Sequence, residues 1–256
     1  MSSRASHGKS PTPDLMLAST MNFSLRLLSS AFFATWSLAA MAEVPAEPLV
    51  AKGETLFSDD FERSEIGPKW ETSVRAFTIV DGALKGGHPP GVHGAIAAVN
   101  ATFKDAIIEF KFRFEGAASI SAVCDDKAWE ASHAGHICRV TITPTQIRLG
   151  DDKEGGMRND ILEMRKDPAR KAEGDKLMAG RTAAFAAKIE PQKWYRLTIE
   201  IAGDRMRAVL DGQPIGYLQS PGIAHPTKSR FHFTVNGKDV MLDDVRIFAA
   251  APAAAR

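Results

Sequence analysis

The stretch that decides the fold is Trp194–Gly216, WYRLTIEIAGDRMRAVLDGQPIG. Tyr195, Leu197, Ile199 and Ile201 alternate with Arg196, Thr198 and Glu200, the period of two that marks a strand with one buried face. Gly203 interrupts the run, Arg205 to Leu210 resumes it, and Asp211-Gly212 breaks it again before a strand over 214–218. An Asp-Gly pair supplies the positive φ angles that tight hairpins need. The stretch reads as an antiparallel meander.

Working outward, the same pattern recurs. Strands are expected over 56–61, 77–80, 83–85, 95–99, 107–114, 119–125, 137–143, 146–150, 183–189, 231–235 and 241–248. In 107–114, Ile108, Phe110, Phe112 and Phe114 face one way and Glu109, Lys111 and Arg113 the other. The charged, Ala/Met/Leu-rich segment 156–177 breaks the pattern and reads as one or two surface helices divided near Pro168. A dozen short strands with turn signals between them predict an all-β, two-sheet antiparallel β-sandwich of jelly-roll type. Its domain spans residues 54–249, after a linker over 43–53 and before an Ala/Pro tail over 250–256 with nothing to bury.

Residues 1–42 read as an upstream extension and a secretory signal peptide. Arg26, the apolar run Leu27 to Ala40 and the Ala-Met-Ala end are its three parts, and they point to Met21 as the true start. The run is shorter than the about 20 apolar residues a membrane span needs, so no stable span is expected after cleavage. The expected location is periplasmic or secreted. The chain carries 32 Lys+Arg against 31 Asp+Glu, and such near-neutrality gives no electrostatic case for nucleic acid. Cys124 and Cys138 lie on neighbouring expected strands, either bridged across them or buried as two thiols.

Alternation also selects the groups that leave the core. If Cys124 opposes Cys138, Val123 opposes Arg139, Ser121 opposes Thr141, and Asp125 shares their face. On the strand over 231–235, Arg230, His232 and Thr234 point outward. Should these strands adjoin, one face collects carboxylate, guanidinium, imidazole and hydroxyl groups suited to sugar hydroxyls. Any sandwich has solvated faces with paired charges, which is the plainer account. His88, His93, His133, His136 and His225 sit in or beside Gly/Pro-rich loops. Imidazole is the group most easily poised for proton transfer near neutral pH. No cofactor motif is present; a divalent metal held by the His133–His136 loop with Asp125 and Asp126 stays open. There is no Glu-x-Asp-x-Glu strand, Gly-x-Ser-x-Gly elbow or phosphate loop. Trp129, in the loop after Asp126, is the one ring expected as an exposed sugar platform.

The ordered set LFSDDFER (56–63), FTIVDGALKGG (77–87), IIEFKFRFEG (107–116), KWYRLTIEIAGDRMRAVLDGQPIGYLQSPGIAHPTK (193–228) and LDDVRIF (242–248) resembles the planctomycete-type concanavalin A-like sandwich proteins related to the 3-keto-disaccharide hydrolase domain family, often labelled family-sixteen glycoside hydrolases. The resemblance implies a jelly roll with a sugar-facing surface and, for the hydrolase members, cleavage of glycosides already oxidised at the third carbon. Matched motif by motif, it implies Glu109 and Arg113, His136 and Arg139 in GHICRV, and His225 and Lys228 in GIAHPTK as site residues, with His93 as a loop candidate. The family-sixteen carboxylate motif is missing, and AASISAVCDD (117–126) replaces the Asn-Ser-Gly run typical of the central strand.

The expected assignment follows. His136 or His93 is the base, with Glu109 or Asp125 as partner. Arg139 and Lys228 stabilise an enolate, and Arg113, His225, His232 and Trp129 bind substrate. The expected function is an exported hydrolase or lyase of 3-keto-glycosides with a carbohydrate ligand. The alternatives are a non-catalytic carbohydrate-binding module or an envelope structural domain.

Overall fold

The computed structural model describes residues 43–73, 76–88 and 94–253, so the expected signal peptide and His93 lie outside the described residues. Thirteen strands follow in order: β1 (Ala51–Asp59), β2 (Glu71–Ser73), β3 (Phe77–Val80), β4 (Ala83–Gly86), β5 (Ala95–Phe103), β6 (Ala106–Asp125), β7 (His136–Ile142), β8 (Gln146–Asp151), β9 (Thr182–Ala186), β10 (Tyr195–Ala202), β11 (Arg205–Leu210), β12 (Gln213–Gln219) and β13 (Lys228–Ala251). Helices α1 (Asn159–Lys166) and α2 (Lys171–Leu177) sit between β8 and β9 and part at Pro168, as the sequence predicts.

Every pairing is antiparallel. One sheet runs β2-β5-β13-β6-β7-β8-β9. The other runs β12-β11-β10-β6-β13-β1, and β4 and β3 extend it from β13. β6 and β13 belong to both. The expectation of separate strands over 107–114 and 119–125, and over 231–235 and 241–248, is corrected here. Gly116 and Gly237 each hold a positive φ (106° and 89°) at adjoining positions of the β6–β13 ladder, so the pair bulges and passes from one sheet into the other unbroken. A glycine that reads as a break in sequence is a bend in structure.

Between the sheets lies the core, with an aromatic cluster at its centre. Phe233 meets Phe110 and Phe231 edge-on, each at 4.9 Å between ring centroids, and Trp70 stacks at 6.3 Å. Trp70 and Tyr195 are both buried in this core. Cys124 and Cys138 pair across β6–β7 as buried free thiols. The linker and tail are also corrected at their inner ends. Ala51 pairs with Ala251, and the segment before β1 is fastened down by Arg207 and Glu200. No helix among the described residues is long and apolar enough to cross a membrane.

Candidate active site

Three strand positions build the site. β6 ends at Asp125, β7 begins at His136, and β13 carries His232. The register is Val123 opposite Arg139 and Ser121 opposite Thr141 on one side of β6, and His232 opposite Val123 and Arg230 opposite Asp125 on the other. The strands anticipated as neighbours do adjoin. Strict alternation along β7 would turn His136 into the core. A bulge between Cys124/Cys138 and Asp125/His136 leaves Ile137 as the extra residue, buried, and swings His136 to the outer face.

The loop 126–135 aims that histidine. Gly135 has φ +75°, and a Cβ there would lie 2.2 Å from the Asp126 carbonyl oxygen, so only glycine fits. The Asp126 amide donates to the Gly135 carbonyl at 2.9 Å, and the Ser132 hydroxyl donates to the His136 carbonyl at 2.7 Å. From outside, the insertion braces the loop: His133 N–H donates to the Met157 carbonyl at 2.7 Å, and Asn159 N–H to that of Ala131 at 3.1 Å.

His136 Nδ1 lies 2.6 Å from Asp125 Oδ1. His232 Nδ1 lies 2.9 Å from Asp125 Oδ2, yet the two do not align as a hydrogen bond, and both atoms are buried without a hydrogen-bond partner among the described residues. Burial opposes ionisation of Asp125, but the imidazoles of His136 and His232 overcome it and hold the carboxyl well below the usual carboxylate range. For His232 burial prevails over the pull of Asp125 and lowers its pKa, favouring the neutral ring. The carboxylate therefore fixes the His136 tautomer while part of that ring, with 14% of the side chain exposed, faces outward. The three residues each offer a ligand atom within 4.8 Å of the others, a donor set suited to a divalent first-row metal.

Cations flank the cluster. Arg230 Nη1 stands 3.9 Å from Asp125 Oδ2, and its Nη2 is 3.8 Å from Glu71. Arg139 Nε donates to Asp152 Oδ2 at 2.5 Å. Burial pushes the Asp152 carboxyl up although Arg139 opposes this. Asp152 and Glu71 are absent from the residues singled out in sequence. The signal for Asp152 was present, because Arg148, Gly150 and Asp152 continue one parity past the expected strand end.

Other expected site residues fall elsewhere. Glu109 and Arg113 lie on the half of β6 in the other sheet: Glu109 accepts from Lys52 at 2.8 Å, and Arg113 pairs with Glu115 and sits 5.0 Å from the Trp194 ring centroid. Glu109 lies sixteen positions before Asp125 along the strand. Asp125, not Glu109, is the partner of His136. Lys228, expected on an enolate, is fully buried and donates to the carbonyls of Lys104, Ile223 and His225. Its ammonium replaces water with main-chain acceptors, so it holds the turn before β13 and does not reach the outer face. His225 is buried with Nε2 2.9 Å from Asp126 Oδ2. Trp129 packs against it at 5.1 Å between ring centroids and carries the Lys153 ammonium at 4.6 Å. The ring is half-buried rather than a bare platform.

Residues 53–247 match the model of the 3-keto-α-glucoside-1,2-lyase-like domain family. The chain belongs to that family. No curated protein sequence matches it. Among solved structures, the endo-β-1,3-glucanase from Pyrococcus furiosus is similar over 81% of this chain and all of that one, at 12% identity and a TM-score of 0.55. The laminarinase from Rhodothermus marinus is similar over 79% and 99%, at 11% identity and 0.54. A sialidase matches 79% of this chain at 13% identity and 0.54, and the chain spans only 19% of its length. At these identities the likeness concerns the sandwich fold. The family membership concerns nearly the whole described domain.

Proposed function

We propose that this domain cleaves glycosides whose sugar carries a ketone at C3, by elimination across C1–C2. The observation that carries the reading is the 2.6 Å contact between His136 Nδ1 and the buried Asp125 carboxylate, with the histidine on the outer face. A C3 ketone acidifies the C2 proton, so the reaction needs a base and no glycosyl nucleophile. This agrees with the missing carboxylate pair. His136 takes the C2 proton, and the C2–H electrons form the C1–C2 double bond through the enolate as the C1–O bond breaks. The departing alkoxide takes a proton from the imidazolium on His136, leaving an alcohol and an unsaturated keto sugar. Addition of water across that double bond would make the net result hydrolysis. Arg230 and Arg139 are the cations placed to favour enolate charge.

In deuterium oxide, incubation with a 3-keto-glucoside is expected to exchange the C2 proton or to turn over a C2-deuterated substrate more slowly. Turnover with neither effect would remove His136 as a C2 base. A metal-assisted variant is favoured by one observation, the buried, misaligned Asp125 Oδ2 and His232 Nδ1. There the metal would polarise the ketone. Loss of turnover on chelation, restored by cobalt(II) with a visible spectrum that His232→Ala abolishes, would establish it. Unchanged turnover would dismiss it. The domain is proposed to work after export, which N-terminal sequencing of the exported protein tests; a start far from Glu43 would contradict the signal assignment.

A further inference from the structure

Beside the proposed catalytic cluster, the insertion roofs a cleft of about 310 Å³ over the outer face of β7 and β8. Its floor carries Arg139, Arg148 and Asp152; its roof carries Arg165, Asp175 and Met178. Three guanidiniums thus meet two carboxylates. Those carboxylates are already engaged, Asp152 by Arg139 and Asp175 by both Arg165 and Lys171. Arg148 makes no ion pair or hydrogen bond among the described residues, although it projects into this cleft from β8. Arg139 uses Nε on Asp152, and its Nη2 is buried without a partner. Arg148 therefore keeps all its donors unspent in this cleft, and Arg139, which lines it, has a buried nitrogen still without a partner.

A guanidinium offers a planar fork of N–H donors that matches the oxygens of a carboxylate or a sulfate ester. A neutral sugar would leave that charge unanswered. Arg139 stands three residues along β7 from His136, so an occupant of the cleft borders the proposed reacting centre.

We propose that this cleft is a subsite for an oxyanion carried by the sugar ligand, a carboxylate or a sulfate ester, held by Arg148 with the charge of Arg139 beside it, under the roof of the insertion. The inference rests on the proposed function only in taking a sugar as the ligand, and equilibrium binding tests it without turnover.

Titration calorimetry at low salt would compare methyl glucuronide, glucose 6-sulfate and methyl glucoside. At least one anionic sugar is expected to bind about tenfold tighter than the neutral one, the difference one charge-assisted contact supplies. The tighter of the two identifies the carboxylate or the sulfate. Arg148→Gln is expected to bring the ratio close to one and Arg148→Lys to restore part of it. Arg170→Ala, on the exposed side of the insertion, is expected to keep the ratio. Equal binding of all three sugars, no saturable binding of an anionic one, or a ratio that survives Arg148→Gln would overturn the proposal. A domain that binds the anionic sugar through Arg148 but never turns over a 3-keto-glycoside would keep the subsite and lose the proposed function.

Discussion

Asp125→Asn is expected to lower turnover of a 3-keto-glycoside by about 10²- to 10⁴-fold while the protein stays folded, the range by which a positioned acid–base group contributes. Asparagine keeps the shape of the side chain but not its charge. An imidazolium forming on His136 would then face an amide dipole in place of a buried carboxylate, and the tautomer of the resting ring would no longer be fixed by the 2.6 Å contact. Steady-state kinetics of the two proteins side by side decides it. Wild-type rates in the variant would remove the Asp125–His136 pair from the mechanism.

The same substitution has a signature in pH. The folded Asp125 carboxyl is depressed below its ordinary value of 3.8, so its contribution to stability is fully present above about pH 4 and is lost as pH falls through the folded value. His232 is depressed below 6.5. Below that pH the unfolded chain binds a proton that the folded ring refuses, so stability falls as pH drops below about 6.5 and is constant above it. Without the Asp125 charge, burial acts on His232 unopposed. The melting temperature of Asp125→Asn is therefore expected to fall more steeply than the wild type's between about pH 6.5 and 5. Parallel melting curves over that window would contradict this account of the cluster.

The largest effect on stability is expected at the other sheet. Arg207 and Glu200 form an ion pair with side chains only 4% and 6% exposed, at 2.6 Å across β10–β11. Arg207 also donates to the carbonyls of Pro45 and Ala46, and Glu200 accepts from the Leu49 amide. The pair thus bolts the segment before β1 onto the β10–β12 meander. Arg207→Ala strands a buried carboxylate, a loss of about 3–5 kcal/mol. For a domain of this size that corresponds to a drop in melting temperature of roughly 6–20 °C. The segment 45–49 should also become sensitive to protease. The double variant Arg207→Met, Glu200→Leu is expected to regain much of the loss, because it removes both charges together. A single-variant drop of less than about 3 °C would mean that the pair is solvated in the folded protein.

The sandwich and its faces were legible because each strand carries one short-range signal, alternation, and the core accepts it. Ile108, Phe110, Phe112 and Phe114 face inward, and so do Phe231 and Phe233. From the single pairing of Cys124 with Cys138, alternation also anticipated the Val123–Arg139 and Ser121–Thr141 register. Strand continuity was not legible. Gly116 and Gly237 act as a bulge only because they fall at adjoining positions of the ladder, a property of the pair of strands and not of either residue. His136 was singled out as a loop histidine, but its direction depends on the bulge at Ile137, which alternation alone gets backwards. Glu109 and Lys228 misled for two different reasons. Glu109 has the same parity as its strand neighbours yet lies in the other sheet, and parity carries no distance. Lys228 looks like a loop cation, but the turn before β13 surrounds its ammonium with three carbonyls.

The measurement that bears most directly on the central claim is a proton NMR time course of methyl 3-keto-α-glucoside and of its unoxidised parent, each with wild-type protein and with His136→Ala. The wild type is expected to consume only the keto sugar, release methanol and leave the parent intact, while His136→Ala consumes neither. Cleavage of the parent at a comparable rate, or no consumption of the keto sugar at all, would contradict it.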